Sequence, residues 1–284
     1  MCSSDLSAAS NLAIKYQLRG PNNTYSVACA SSAIALGEAM LAIRSGRIDV
    51  ALVGGSEAML VPLVMSAWGA LRVLSTRQSQ ANPLLASRPF CKDRTGLAIG
   101  EGAAALILES AAHARARGAK ALAQISGFGS SCDAASLVHP AAHGQVRAMR
   151  LALTDAGLSP QEIGAINAHA TGTDAGDVSE VKALAEIFSE SSQIPPVSAT
   201  KSLHGHLLGA AGALEAAICV ASLQLQCVPA TLASDPIDAR CAGLDLPAQP
   251  RSLVGLNHIM SNSFAFGGSN ASLIFSRVRE SSAK

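Results

Sequence analysis

Residues Thr24–Gly55, TYSVACASSAIALGEAMLAIRSGRIDVALVGG, read as strand, turn, helix and strand, with one cysteine at the first turn. Thr24–Ala28 holds the β-branched and aromatic residues that a strand favours. From Ala30 to Ser45 the apolar residues Ile34, Leu36, Met40, Leu41 and Ile43 recur at helical spacing, and Gly46 follows as a stop. Ile48–Val53 is apolar apart from Asp49 and ends at Gly54-Gly55, the pattern of a strand buried on both faces. Cys29 thus stands where a strand hands over to a helix N-terminus. Free N–H groups and the positive end of the helix dipole favour a thiolate there. The small neighbours Ala28, Ala30, Ser31 and Ser32 leave the sulfur approachable. A buried core cysteine is the plain alternative, and position alone does not choose between the two.

Composition narrows the function classes. Charged residues make up 14% and aromatics 3% of 284 residues, so the chain suits a tightly packed α/β protein with much buried surface. The net charge of +1, with no basic run, gives nucleic acid or an anionic membrane nothing to bind. The cysteines at 2, 29, 91, 132, 219, 227 and 241 are odd in number and lack CxxC spacing. Reduced cytoplasmic thiols are expected, with no metal site and no disulfide framework. No secretory signal opens the chain. Ala216–Ser234 is uncharged over nearly a membrane length, but Gln224, Gln226 and Pro229 make it a buried helix followed by a turn.

Along the chain, Met1–Leu6 differs in texture from everything after it and reads as a non-native leader. Helices are expected at Ser7–Leu18, Val61–Leu74, Ala111–Lys120, Gly144–Ala156, Asp174–Phe188 and Gly209–Leu225. Strands are expected at Gly102–Leu108, Ile163–Ala168, Val228–Leu232, His258–Phe264 and Ala271–Arg277, and Ala121–Phe128 starts a second set of elements. Ser75–Asp93 reads as a loop. Alternation of the two kinds predicts an α/β architecture with mainly parallel pairing.

Three further stretches carry chemistry. INAHATGTDAGD (166–177) puts His169 at a strand end among small and hydroxyl residues. SATKSLHGHLLGAAGALE (198–215) sets Lys201, His204 and His206 before a small-residue helix. NSFAFGGSN (262–270) is a glycine loop with two phenylalanines. Each has a bland reading: a structural histidine, a solvated lysine, a hairpin turn. Together they supply a thiol, imidazoles, a lysine–glutamate pair and a glycine loop at strand ends, where α/β folds keep their sites.

In that order, VACASS, NAHATGT, KSLHGHLLGAAG and NSFAFGGSN resemble the β-ketoacyl-acyl carrier protein synthases of the Cys-His-His type, the KAS I/II group of the thiolase superfamily. The likeness runs from about Ser7 to Arg277. It implies the duplicated βαβαβαββ fold in α-β-α-β-α layers. Residues 7–110 would be the remainder of the N-terminal half, with the nucleophile. Residues 111–278 would be the C-terminal half, and 279–284 a tail. Because the nucleophile is already residue 29, roughly the first third of the family's chain is expected to be absent, as in a gene fragment.

The implied activity is decarboxylating condensation of malonyl-acyl carrier protein with an acyl group held on Cys29, in fatty acid or polyketide-type elongation. The resemblance makes Cys29 the nucleophile, and His169 and His206 the groups that bind the malonyl carbonyl and assist loss of carbon dioxide. Lys201 would ion-pair with Glu215 in support. Backbone N–H groups of Cys29 and Phe266 would hold the oxyanion, with Phe266 as gate. Thr171 and Thr173 would bind the pantetheine arm. No resident cofactor is implied, because substrates ride on the phosphopantetheine of acyl carrier protein. Acyl carrier protein is the implied partner, with a homodimer through the Thr24–Ala28 strand.

Three residues depart from the family's pattern: Ala170 and Ala265, where glycine is usual, and His204, where a small or hydroxyl residue is common. If the backbone at 265 needs a positive φ, alanine costs about 1 kcal/mol there. The competing readings are a non-catalytic chain-length-factor-like subunit, an inactive fragment, a Cys-His-Asn initiating synthase and a thiol hydrolase. The first would lack the nucleophile, and the initiating synthase would carry asparagine in place of His206.

Overall fold

The computed structural model describes residues 7–76, 82, 85–232 and 234–278. The leader, the 279–284 tail and part of the Ser75–Asp93 loop lie outside the described residues. Helix α1 (Ser7–Tyr16) comes first, followed by α2 (Ser31–Arg44), β1 (Val50–Glu57) and α3 (Pro62–Ala70). Strand β2 (Gly102–Glu109) and helix α4 (Ala111–Ala116) complete the first part. The second part runs β3 (Gln124–Cys132), α5 (Ala142–Ala156), β4 (Ala165–Asn167), α6 (Asp174–Ile187) and β5 (Val197–Ser198). It continues with α7 (Lys201–His204), α8 (Ala211–Leu225), β6 (Cys227–Val228), β7 (Arg251–Ser252), β8 (His258–Phe264) and β9 (Ser269–Ser276).

The central sheet has the order β3-β9-β8-β4-β5. Pairing is mixed, not mainly parallel: β8-β4 and β4-β5 are parallel, whereas β3-β9 and β9-β8 are antiparallel. The reason is local. The loop between β8 and β9 is too short for a crossover, so it makes a hairpin, and a parallel pair would need a dozen or more connecting residues. Val228–Leu232 yields only the two-residue β6, because Pro229 has no N–H to continue a ladder.

Helices α5 and α6 cover one face of this sheet, and their apolar residues join those of β4 and β5 in one core. Helices α2 and α8 cover the other face. Beyond them, Val53 and Ala51 of β1 and Leu106 and Leu108 of β2 pack onto the second core. The result is an α-β-α-β stack. β1 and β2 form an antiparallel pair in a two-stranded sheet. Its inner face is covered, but Val50 and Ile107 point the other way, and Ile107 is 67% exposed. Ile48–Val53 and Gly102–Leu108 are therefore apolar on both faces but covered on one.

Small residues set the spacing of the middle layer. A Cβ on Gly212 of α8 would lie 2.7 Å from the Ala33 nitrogen of α2, so these helices touch backbone to backbone. Leu208–Leu225 is long and apolar enough to cross a membrane by length and composition, yet 56% of it is buried and Glu215 sits within it, wholly buried. It is a core helix, as the sequence suggested.

Thr24–Ala28 is not a strand. Residues 21–27 join none of the sheets formed by the described residues, Val27 has φ −136° and ψ 45°, and Ala28 turns to φ 44°. β-propensity alone cannot make a strand without an edge to pair with.

Candidate active site

Cys29 sits in a single 3-10 turn, Ala28–Ala30, that runs straight into α2. Ser31 fastens this turn: its hydroxyl accepts from the Val27 N–H at 2.9 Å and donates to the Ala28 carbonyl at 2.7 Å. Ser32 accepts from the Ala213 N–H at 2.9 Å, tying the helix that follows Cys29 to α8. Both serines do more than leave space. Cys29 is 7% exposed, and burial pushes its thiol up to about 11. The Lys201 charge and the N–H groups of Cys29 and Phe266 pull the other way. The helix N-terminus favours the thiolate, but desolvation by burial outweighs it.

His169 follows β4 after a single residue, Ala168. His206 is held by a backbone ladder: its N–H donates to Ala98 at 2.7 Å, and its carbonyl accepts from Gly100 at 3.0 Å. The chain thereby brings His206 Nε2 to 3.0 Å from Cys29 Sγ, across 177 residues. The two imidazoles meet edge to face, with centroids 5.4 Å apart. Burial first, then the Lys201 charge, holds both well below the usual histidine range, so both are neutral. Nδ1 of each is buried without a partner. An unpaired lone pair is tolerated there more readily than an unpaired N–H, which puts the proton on Nε2 of both rings. Two N–H donors then serve the space beside the sulfur.

Lys201 pairs with Glu215, both wholly buried. Burial raises Glu215 to about 7 against the opposing Lys201 charge. Thr171 and Thr173 hydroxyls lie 2.9 Å apart in the loop after His169. Cys29, His169 and His206 present donor atoms within 4.8 Å of one another, a set that soft divalent ions use. Neither Nδ1, however, has the outer hydrogen-bond partner typical of resident metal ligands.

The sequence reading missed the carboxylates beneath the His169 loop. Glu180 accepts from the N–H groups of His169 and Ala170, both at 2.8 Å. Asp177 accepts from Phe90 at 2.7 Å and Gly172 at 3.1 Å and pairs with the buried Arg94 at 3.3 Å. Two acids three apart on a helix with apolar neighbours were the available signal. The departures also sort differently. Ala265 is extended, with φ −104°, so alanine costs nothing there. Ala170 has φ 37° and bears the cost, about 1 kcal/mol. Glu180 holds it there.

Against known proteins, the chain is 44% identical over 274 residues to 3-oxoacyl-[acyl-carrier-protein] synthase 2 of Vibrio cholerae. That match covers 95% of this chain and 66% of the relative, so the chain spans just under two thirds of the relative's length. Nodulation protein E of Rhizobium meliloti is 42% identical, with 95% and 65% covered. Among solved structures, a type II polyketide ketosynthase in complex with its acyl-carrier protein superposes with TM-score 0.93 at 34% identity, covering 96% of this chain and 67% of that one. A beta-ketoacyl synthase from Burkholderia phymatum superposes with TM-score 0.91 at 42% identity, covering 96% and 66%. The fold is thus the thiolase-like one that the motifs implied. Sequence profiles of the beta-ketoacyl synthase N-terminal and C-terminal domains match residues 3–114 and 122–235. With both domains matched in order, and Cys29 set beside His206 and His169, the chain belongs to the beta-ketoacyl synthase family.

Proposed function

We propose that this chain carries the machinery of a 3-oxoacyl-acyl carrier protein synthase, an acyltransferase that performs decarboxylating condensation. The observation that carries the reading is the Cys29 Sγ–His206 Nε2 approach of 3.0 Å, with His169 edge-on to the same ring. In the first step Cys29 sulfur attacks an acyl thioester. The acyl–sulfur bond to pantetheine breaks, and the thiol proton leaves with the pantetheine sulfur. In the second, malonyl thioester loses carbon dioxide, and the electron pair passes to the thioester oxygen, held by the two Nε2–H groups. The enolate carbon then attacks the Cys29 thioester. The oxyanion is held by the N–H groups of Cys29 and Phe266, and collapse releases 3-oxoacyl-acyl carrier protein and the Cys29 thiolate.

Lys201 and Glu215 support the histidines, and Thr171 and Thr173 hold the pantetheine arm. A solved relative bound to acyl-carrier protein supports that protein as the partner. Substrates arrive on its phosphopantetheine, so no resident cofactor is invoked. The free thiols support a cytoplasmic setting. A homodimer using residues 24–28 would form its ladder only on association, because that segment has none among the described residues.

The test is carbon dioxide release from malonyl-acyl carrier protein alongside acyl loading. Cys29→Ala should lose loading altogether. His206→Ala should load, yet lose about a hundredfold in decarboxylation. Decarboxylation that survives in both His169→Ala and His206→Ala would sink the assignment. A second reading, that the chain alone is inactive, is favoured by the uncovered face of β1 and β2. A chain extended to the relatives' length would then condense where residues 1–284 do not.

A further inference from the structure

The only tryptophan in the sequence, Trp68, sits on α3, a helix with no fully buried residue. Its indole stacks on the ring of Phe266, with centroids 6.2 Å apart and planes 25° apart. Phe266 opens the Phe266–Gly268 turn between β8 and β9, and Gly267 and Gly268 have φ of 83° and 74°. Both are conformations that favour glycine. The backbone of the turn is held by Ala265 N–H to Ser269 at 2.7 Å, Gly268 N–H to Ala265 at 3.2 Å, Gly267 N–H to Leu137 at 2.8 Å, and Asp133 N–H and Asn270 Nδ2 to the Gly268 carbonyl at 2.8 and 3.0 Å, and the indole adds the stack on the Phe266 ring. Phe266 itself is only half-buried.

We propose that Trp68 is a positioning residue that latches Phe266 by ring stacking and so fixes the Phe266 N–H that faces Cys29. The N–H of Phe266 is among the groups that stabilise a negative Cys29 sulfur, which places it against the reacting atoms. A ring and its own N–H belong to one residue, so a rotation that frees the ring re-aims the donor. Aromatic pairs contribute beyond the area they bury, and an oxyanion donor works only when aimed. The indole thus adds a side-chain restraint on the residue that carries the donor. The inference rests on the oxyanion role given to Phe266 above.

The experiment needs neither carrier protein nor malonyl thioester, so its failure is distinct from a failure of the condensation reading. Acylation of Cys29 by an acyl p-nitrophenyl ester is followed in wild type, Trp68→Ala, Trp68→Leu and Trp68→Phe, each checked by circular dichroism. Loss of an aimed oxyanion donor predicts about a tenfold slower acylation in the alanine and leucine variants, with Trp68→Phe within about threefold of wild type because a ring face remains. In Phe266→Ala, acrylamide quenching of the single tryptophan should rise about twofold, reporting the stack directly. Wild-type acylation rates in both Trp68→Ala and Trp68→Leu, failure of Trp68→Phe to restore the rate, or quenching indifferent to Phe266→Ala would each overturn the latch.

Discussion

At the scale of single residues, the buried sulfur makes a prediction that runs against its sequence context. With its thiol raised to about 11, Cys29 should react slowly with iodoacetamide at pH 8, and exposed Cys132 should be labelled first. The Cys29 rate should climb about tenfold per pH unit towards that value, because the thiolate is the reactive form. Peptide mass spectrometry of the labelled chain reads both sites; Cys29 labelling faster than Cys132 at pH 8 would refute it. His204 offers a second. Burial and the Lys201 charge lower it to about 4. A base whose folded value is depressed stabilises the fold above its unfolded value, near 6.5, and loses that contribution as pH falls towards 4. His204→Thr should therefore flatten the fall in melting temperature between pH 6.5 and 4, and an unchanged slope would contradict the burial argument.

At the scale of elements, the site depends on how α2, α8 and the His169 loop are held. Gly212→Ala would press a methyl against Ala33 and should cost about 1–3 kcal/mol in denaturant unfolding while separating Cys29 from His206. Glu180→Gln would turn one acceptor into an amide facing a backbone N–H. It should cost about 1–3 kcal/mol and slow decarboxylation more than Cys29 acylation, since it touches the His169 loop and not the α2 turn. Equal losses in both steps would argue against that division. Helices were the most legible elements, because apolar spacing marks them without reference to any neighbour: α2, α5, α6 and α8 fall almost where the residues put them. Strands were legible only where their partners are in the same chain. β8 was read correctly to both ends, whereas Thr24–Ala28 had the right residue types and no edge to join.

At the scale of the whole molecule, the four motifs could be read but not the carboxylates beneath them. Motifs are contiguous, while Glu180 and Asp177 acquire meaning only when α6 folds under the His169 loop. The sign of the Cys29 shift was likewise hidden, because desolvation is a property of everything that surrounds the sulfur. The uncovered apolar face of β1 and β2 also belongs to this scale. Residues 1–284 should associate in a concentration-dependent way, seen by light scattering, and Ile107→Lys should reduce it without altering the melting temperature by more than a few degrees. Scattering that is independent of that substitution would place the association elsewhere.

The hairpin of β8 and β9 has one more consequence, in the order of synthesis. Strand β3 is made early, but its ladder neighbour is β9, some 140 residues later, and β4 also waits for β8. On the ribosome, the first half therefore emerges as a chain whose central sheet cannot close. Cys29 is already present by then, but His169, His206 and the Phe266 turn are not. Folding by such late, non-local closure is slow, and it leaves a nascent chain unable to capture a passing thioester. The cluster of Cys29, His169 and His206 is thus closed off by the last strand to be made.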